Sequence, residues 1–499
     1  MQKRVLMIGF DSMDRLLVDR FIDDLPNIKK FREKSLNIKF QGVFPPDSPT
    51  SWASIYTGKN PAKHGVVLFI DPLDKSGKLM TEEIGNSTIR EKTFWDMIGK
   101  AGKRVFIAFP LLGYPTWGVN GTMVGRATTK VDVEMNPPNE RKEDLILLHG
   151  LKGLPGRNPM TFVDNGREVL RREKEFGLKH LKKNDWDFFF FYSSVLDPME
   201  HNFWNCFDTK DPTYVKGNRF ENVILSFYQE YDRVLGEFLG SIGDETAVIL
   251  LSDHGHMGRP TNIVNVNSIL MERGFMAMKK SKKSFKSFLY VRKDRIFEMV
   301  SNRRLGGLAA KIMRKFPSAK SVFTTPDYID WDQTIAHVSD LSGIKAYTYG
   351  GIVIRKGNLK QRNYEDVRGE ILSILKDIKH PESGVQLIKW AKRREELYDG
   401  EYIGKYPDIV FEFHEGYGAG WSLKEGLLSK STAHNLHPGS HRQDSPILML
   451  YNFDSIHCLS ETATLMDFAP TLLELMGIDA KGISFDGRSI VQRTDSAAK

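Results

Sequence analysis

Aspartate and histidine recur in this chain where apolar runs end. The run Arg4–Phe10 leads straight into Asp11. The run Trp186–Val195 is followed by Asp197, with His201 four residues later. The run Thr246–Ser252 opens onto Asp253 and His254, and Gly439-Ser440-His441-Arg442 stands just before the run Pro446–Tyr451. A D-x-x-x-H spacing puts both side chains on one face if a helix begins there. Carboxylate and imidazole donors without thiolate suit Zn²⁺ or Mn²⁺. Taken singly, an Asp after a strand is most often a cap or turn residue, and a lone His is most often structural. It is their recurrence after three separate runs that points to a metal site.

A hydroxyl-rich loop supplies the second kind of chemistry. Ser48-Pro-Thr-Ser-Trp-Ala-Ser-Ile-Tyr-Thr57-Gly58 follows Phe44-Pro-Pro-Asp47 and reads as a loop entering a short helix. A hydroxyl at a helix N-terminus faces unpaired backbone N–H groups and the positive dipole end, a natural phosphate site. Ser48, Thr50 and Ser51 could each equally serve as an ordinary helix cap.

The elements that must position these groups follow from hydrophobic patterning. Short apolar runs predict strands at Arg4–Phe10, Lys103–Phe109, Trp186–Val195, Thr246–Ser252, Ala346–Ile354, Asp408–Phe413 and Pro446–Tyr451. Amphipathic stretches predict helices at Leu16–Phe21, Trp52–Tyr56, Lys92–Ala101, Arg167–His180, Phe220–Leu239, Tyr364–Lys376 and Ala463–Met476. Their alternation predicts an α/β fold with a mainly parallel central sheet and helices on both faces. Ligands of such sheets bind at the carboxyl ends of the strands, where the acids and histidines fall.

Composition narrows the class. With 499 residues, one large α/β unit with insertions or two to three domains are expected. Hydrophobic residues at 40% and charged residues at 27% fit a globular protein and exclude global disorder. The longest apolar runs, such as Phe188–Tyr192, are far too short to span a bilayer. The run Val5–Phe10 ends at Asp11 without a small-residue cleavage site and reads as a first strand, not a signal peptide. Two cysteines, Cys206 and Cys458, give no disulfide framework and fit a reducing, cytoplasmic compartment.

Taken in order, these motifs resemble the alkaline phosphatase superfamily, and within it the type I phosphodiesterase/nucleotide pyrophosphatase family. Ile8-Gly-Phe-Asp11 is similar to the first metal-binding strand, and Ser48 to Thr57-Gly58 with Lys63-His-Gly65 to the nucleophile helix and its turn. Leu196-Asp-Pro-Met-Glu-His201, Leu251-Ser-Asp-His-Gly255 and Gly439-Ser-His-Arg442 are similar to the remaining ligand motifs. Phe109 to Gly125, Asp330-Trp-Asp332, Tyr406-Pro-Asp-Ile409 and Met466 through Ser489 complete the likeness.

The resemblance implies two divalent metals, usually zinc. One would be held by Asp197, His201 and His441, the other by Asp11, Asp253 and His254. It implies Ser48, nine residues before the Thr-Gly pair, as a nucleophile that also touches metal, with Thr50 the alternative if the loop register shifts by two. His256 and His437 lie beside the ligand motifs. The implied reaction is hydrolysis of a phosphodiester or pyrophosphate through a covalent phospho-enzyme. Monoesterase or mutase chemistry on the same metals, or a silent binding protein, are the alternatives. Two departures bear on substrate. Nucleotide-cleaving relatives often place an Asn near the nucleophile, whereas Val66-Val-Leu-Phe69-Ile70 offers only apolar groups. Ser48-Pro-Thr-Ser-Trp52 also lacks the proline and arginine of the sulfatase motif.

The net charge of +8 is uneven. Residues 279–320 hold 14 Lys+Arg and two acids, a local +12, leaving 57 basic and 61 acidic residues, or −4, elsewhere. The expected domains are a catalytic unit of 1–275 and 326–499, a basic amphipathic insertion at 276–325, and a smaller cap at 340–425. In Arg303–Phe316, Leu305, Leu308, Ile312, Met313 and Phe316 can share one helical face opposite Arg304, Lys311, Arg314 and Lys315. Such a helix can pack on its own domain, lie on an anionic membrane or meet a lipid-linked substrate; nucleic acid is the weakest fit.

Overall fold

The computed structural model describes residues 3–67, 86–128, 130–156, 158–279, 329–339, 347–420, 426–431, 434, 437–453 and 456–494. The basic segment therefore lies outside the described residues, except for Lys279.

Eight strands form the central sheet. In chain order they are β1 (Arg4–Phe10), β2 (Leu36–Asn37), β3 (Val105–Ala108), β4 (Gly121–Arg126), β5 (Val133–Asn136), β6 (Phe188–Ser193), β7 (Thr246–Leu251) and β8 (Leu448–Tyr451). Their spatial order is β2-β8-β7-β1-β6-β3-β4-β5. The five inner strands from β7 to β4 are parallel, and antiparallel strands close both edges. Every residue of β6 and β7 is buried, as strands covered on both faces require.

The run of phenylalanines in β6 shows how the two faces are filled. Phe190 meets Trp52 and Trp95 on one face, while its neighbour Phe191 meets Phe238 on the other. Helix α1 (Ser48–Thr57), which carries Trp52, therefore covers the opposite face from α4 (Val223–Leu239), which carries Phe238. Between them in sequence lie α2 (Pro159–Leu181) and α3 (Leu196–Phe207). Each buried aromatic of this kind contributes about 1.5–3 kcal/mol relative to exposure.

A second apolar core gathers around an antiparallel sheet of Ala336–Ser339, Tyr349–Ile354, Ile409–Phe413 and Ile388–Arg393, backed by the helix Tyr364–Lys376. This core also draws in Val264, Val266, Leu270 and Phe275, so it reaches further back along the chain than the 340–425 span expected for a cap. A seam of Phe44, Tyr349, Tyr398 and Tyr406 joins it to the loop before Ser48. Met278 bridges Ile329, so the chain leaves for the basic segment and returns at one place.

Candidate metal centre and nucleophile

The register of the parallel strands brings the acids together. Phe10 of β1 lies beside Ser193 of β6, and Gly9 beside Leu251 of β7. The next residues on these three strands run out at one edge of the sheet, carrying Asp11, the turn to Asp197, and Asp253. Asp197 and His201 are one turn apart on α3. His441 comes from the short strand Gly439–Arg442, which pairs with Gly255–Gly258 just after β7. Arg259 ties that strand down by donating to the carbonyls of His437 and Gly439.

Two groups of side chains that could each hold a metal ion result. Donor atoms of Asp197, His201 and His441 lie within 4.8 Å of one another, and so do those of Asp11, Asp197 and His254. Asp197 is thus common to both sets, where the resemblance gave it to one. Asp253 stands alongside, its Oδ2 3.3 Å from His254 Nε2.

The three histidines share one arrangement. His201 Nδ1 lies 3.0 Å from Gly439 O, His254 Nδ1 3.1 Å from Gly255 O, and His441 Nδ1 2.8 Å from Pro46 O. A carbonyl only accepts, so each Nδ1 carries the proton, and in the neutral ring the Nε2 lone pair turns inward. Burial lowers His201 and His254, whereas at His441 Asp197 outweighs burial and raises the group. The Nε2 atoms of His201 and His441 are 2.8 Å apart and both lie near Asp197 Oδ1, at 3.3 and 3.2 Å.

The electrostatics fit bound cations. Asp253 Oδ2 is buried with no hydrogen-bond partner among the described residues. Burial, then the charge of Asp197, pushes the Asp11 carboxyl up to about 7. Burial and then Asp11 raise Asp253 well above the carboxylate range. Burial opposes the charge of Asp197 too, but His201 and His441 more than offset it and hold that group well below its ordinary value. Burial drives His254 well down, which keeps it in the neutral, ligating form. Crowded carboxylates and converging lone pairs repel one another until a divalent ion lies among them. The donor set of oxygen and imidazole suits zinc or manganese.

Ser48 opens α1. Its Oγ is 2.9 Å from His254 Nε2 and 3.4 Å from Asp11 Oδ1. The helix can come this close because Gly9 has no side chain: a Cβ there would sit 2.8 Å from Trp52. Trp52 Nε1 donates to Asp11 Oδ2 at 3.0 Å, and the Tyr192 hydroxyl donates to the same oxygen. Thr50 and Ser51 are fully buried, and their hydroxyls find no partner among the described residues. Ser48 instead lines an open cleft of about 340 Å³ together with Asp11, Tyr192 and Asp197.

Several contributors escape motif reading. Ser12 takes a left-handed φ of 68°, and its hydroxyl donates to Glu200 at 2.6 Å and meets His256 Nδ1 at 2.9 Å. Burial holds the Glu200 carboxyl well above its ordinary value. His256 thus faces Ser12 and Glu200 and belongs to neither ligand set, and His437 also stands outside both.

The sequence profile of type I phosphodiesterase / nucleotide pyrophosphatase matches residues 5–418. No curated protein sequence matches the chain. Among solved structures, murine ectonucleotide pyrophosphatase/phosphodiesterase 5 aligns with a TM-score of 0.51 at 12% identity, over 97% of this chain and 98% of that one. Its inactive form in complex with AMP gives 0.52 at 13% identity with the same coverage. Phosphonoacetate hydrolase from Sinorhizobium meliloti, with phosphonoformate, gives 0.53 at 17% identity over 90% of each chain. At such identities the structural likeness shows the shared fold alone. Among the described residues, no helix is long and apolar enough to cross a membrane. With the profile spanning most of its length, the chain belongs to the type I phosphodiesterase/nucleotide pyrophosphatase family, whose chemistry is phosphoester hydrolysis.

Proposed function

We propose that the chain hydrolyses a phosphodiester or pyrophosphate bond with two divalent metals, most simply zinc, through a covalent phospho-serine on Ser48. The observation that carries this reading is the Ser48 hydroxyl at the first turn of α1, 2.9 Å from His254 Nε2 and beside Asp11. Asp197, His201 and His441 would hold one ion, and Asp11, Asp253 and His254 the other, with Asp197 in reach of both. When bound, the ions supply positive charge that favours an ionised serine and neutralises charge growing on attacking and leaving oxygens. Ser48 Oγ then bonds to phosphorus as the bond to the leaving oxygen breaks. Water then attacks the same phosphorus and breaks its bond to Ser48 Oγ, so a phosphomonoester leaves and the serine oxygen takes back a proton. The helix N-terminus favours the phosphoryl charge next to Ser48. Trp52 and Tyr192 hold the Asp11 carboxylate in place.

The substrate in this reading is a small-molecule or lipid-linked phosphate ester, and the setting is cytoplasmic, with residues 279–320 available to an anionic surface. Neighbours of this fold are known with AMP and with phosphonoformate, both small phosphorus-containing acids. The test is metal-dependent release of nitrophenolate from aryl phosphodiesters and monoesters. The expected result is faster cleavage of the diester, lost in Ser48→Ala. Full metal-dependent turnover by Ser48→Ala would overturn the covalent route. A chain that holds no metal and cleaves neither ester is a binding protein instead.

A further inference from the structure

The cleft beside Ser48 has a second wall, and that wall is cationic. β4 runs parallel to β3, β6 and β1, so its last residue, Arg126, arrives at the same edge of the sheet as Asp11. Arg126 and Lys152 line the same cleft as Ser48, Asp11 and Asp197. The Arg126 guanidinium is anchored on two sides. It lies over the Phe109 ring, 5.0 Å from its centre, and pairs with Glu173, whose other oxygen accepts from Ser193 Oγ at the end of β6. The Arg126 side chain is only 8% exposed, so it is fixed before any ligand arrives.

Lys152 is built differently. Its ammonium donates to the carbonyls of Ala127 and Thr128, at 2.9 and 2.8 Å. It meets no carboxylate among the described residues. Burial, and then Arg126, lower its pKa, the signature of a cation short of a counter-charge. Glu173 answers Arg126, but among the described residues no carboxylate answers Lys152. The two carboxylates that do line the cleft, Asp11 and Asp197, belong to the metal sets.

Resting on the reading of Ser48 as the point of attack, we infer that Arg126 and Lys152 form an anion-recognition subsite, and that the preferred substrate carries a second anionic group close to the phosphoryl group that Ser48 takes. The shared chemistry is a planar or tetrahedral oxyanion, either a carboxylate or a second phosphoryl group. Arg126 presents a fixed fork to it and Lys152 a point charge. The small volume of the cleft favours a compact linker between the two anions. A polar wall with one uncompensated cation, Lys152, also fits such a group better than an unsubstituted apolar leaving group.

The test is calorimetric, so it does not depend on turnover. Metal-loaded chain is titrated with methylphosphonate, which has one anionic head. Parallel titrations use phosphonocarboxylates and diphosphonates with one to three carbons between the heads. At least one two-headed series should bind about tenfold tighter than methylphosphonate or better, and the series that does so identifies the second anion as carboxylate or phosphoryl. In Lys152→Met that gain should vanish while methylphosphonate affinity stays unchanged, and Lys152→Arg should restore part of it. The variant holds the same metals, so chelation cancels in the comparison. Equal binding of one- and two-headed ligands would overturn the inference, as would a Lys152→Met variant that weakens every ligand alike. Failure of the hydrolytic reading shows separately, as absent ester cleavage despite intact discrimination between the ligands.

Discussion

Ser48 and Thr50 stand two residues apart on one helix, and the fold treats them differently. Ser48 faces the cleft and the ligand sets, while the Thr50 hydroxyl is buried without a partner among the described residues. Ser48→Ala should lower kcat on an aryl diester by roughly a thousandfold or more, because it removes the atom that bonds to phosphorus. Thr50→Val should leave turnover within about threefold and hold or raise stability, since it replaces an unsatisfied buried hydroxyl by a methyl group. Steady-state kinetics with urea unfolding of both variants checks the pair. At this scale the sequence was informative about residue type: Asp11, Asp197, His201, Asp253, His254 and His441, named from strand ends and motifs, lie close together, whereas His64 and Asp408 of the quoted motifs lie elsewhere. It could not show that Asp197 is common to both sets, because that depends on where α3 begins relative to β1. Nor could it show which nitrogen of each histidine points inward, which is set by the carbonyls of Pro46, Gly255 and Gly439. Asp253→Asn keeps the shape of its side chain and removes its charge. It should weaken metal binding by at least about 10–100-fold, read by competition with a chromogenic chelator.

At the scale of elements, long apolar runs were legible and short mixed ones were not. β1 and the helix Tyr364–Lys376 fall where patterning puts them, because seven or more residues of consistent burial leave a clear signal. β4 and β5 were missed. Gly121-Thr-Met-Val-Gly-Arg126 has glycines near both ends and weak alternation, and its strand character comes from pairing with β3 and β5. That omission hid Arg126, the residue β4 delivers to the cleft. Helix α2 begins at Pro159, well before the expected Arg167; Asn158 as cap and proline in the first turn were the available signal. The support of α1 yields a pH prediction. His64 sits below this helix, with Nδ1 accepting from Val66 N–H and Nε2 3.0 Å from Ser54 Oγ. Burial pushes His64 down to about 3. The unfolded chain therefore takes up this proton first, near the ordinary value of 6.5. Stability from this group is complete above that pH and is lost as pH falls toward 3, by up to about 1.4 kcal/mol per pH unit. Urea midpoints of the wild-type chain should fall between pH 6.5 and 4, and His64→Gln should flatten that slope.

For the whole molecule, the separation of charge sets how the parts depend on one another. The body of the protein carries −4 and concentrates buried carboxylate at one sheet edge, so metal loading should stabilise it. Ions at a thousandfold their Kd add about 4 kcal/mol to the folded state. A chelator should therefore lower the Tm by several degrees, and Asp253→Asn should show a smaller drop. The +12 segment stands apart from this balance. Its flanking residues Met278 and Ile329 pair across an antiparallel bridge, which keeps the two backbones about 5 Å apart. Both residues pack with the second core, and neither is among the residues lining the cleft beside Ser48. Replacing 280–328 with a short turn of Asn and Gly therefore closes a gap that the fold has already closed. The shortened chain should keep its chelator-sensitive Tm, and its kcat/KM on a soluble aryl diester should stay within about threefold of the full chain. Co-sedimentation with anionic vesicles, compared at low and high salt, then isolates what the segment adds. Salt-sensitive binding by the full chain that disappears on shortening assigns these charges to a membrane surface. Equal binding by both chains assigns them to the protein's own surface, and a fall in soluble-ester turnover would show instead that the segment reaches the cleft beside Ser48.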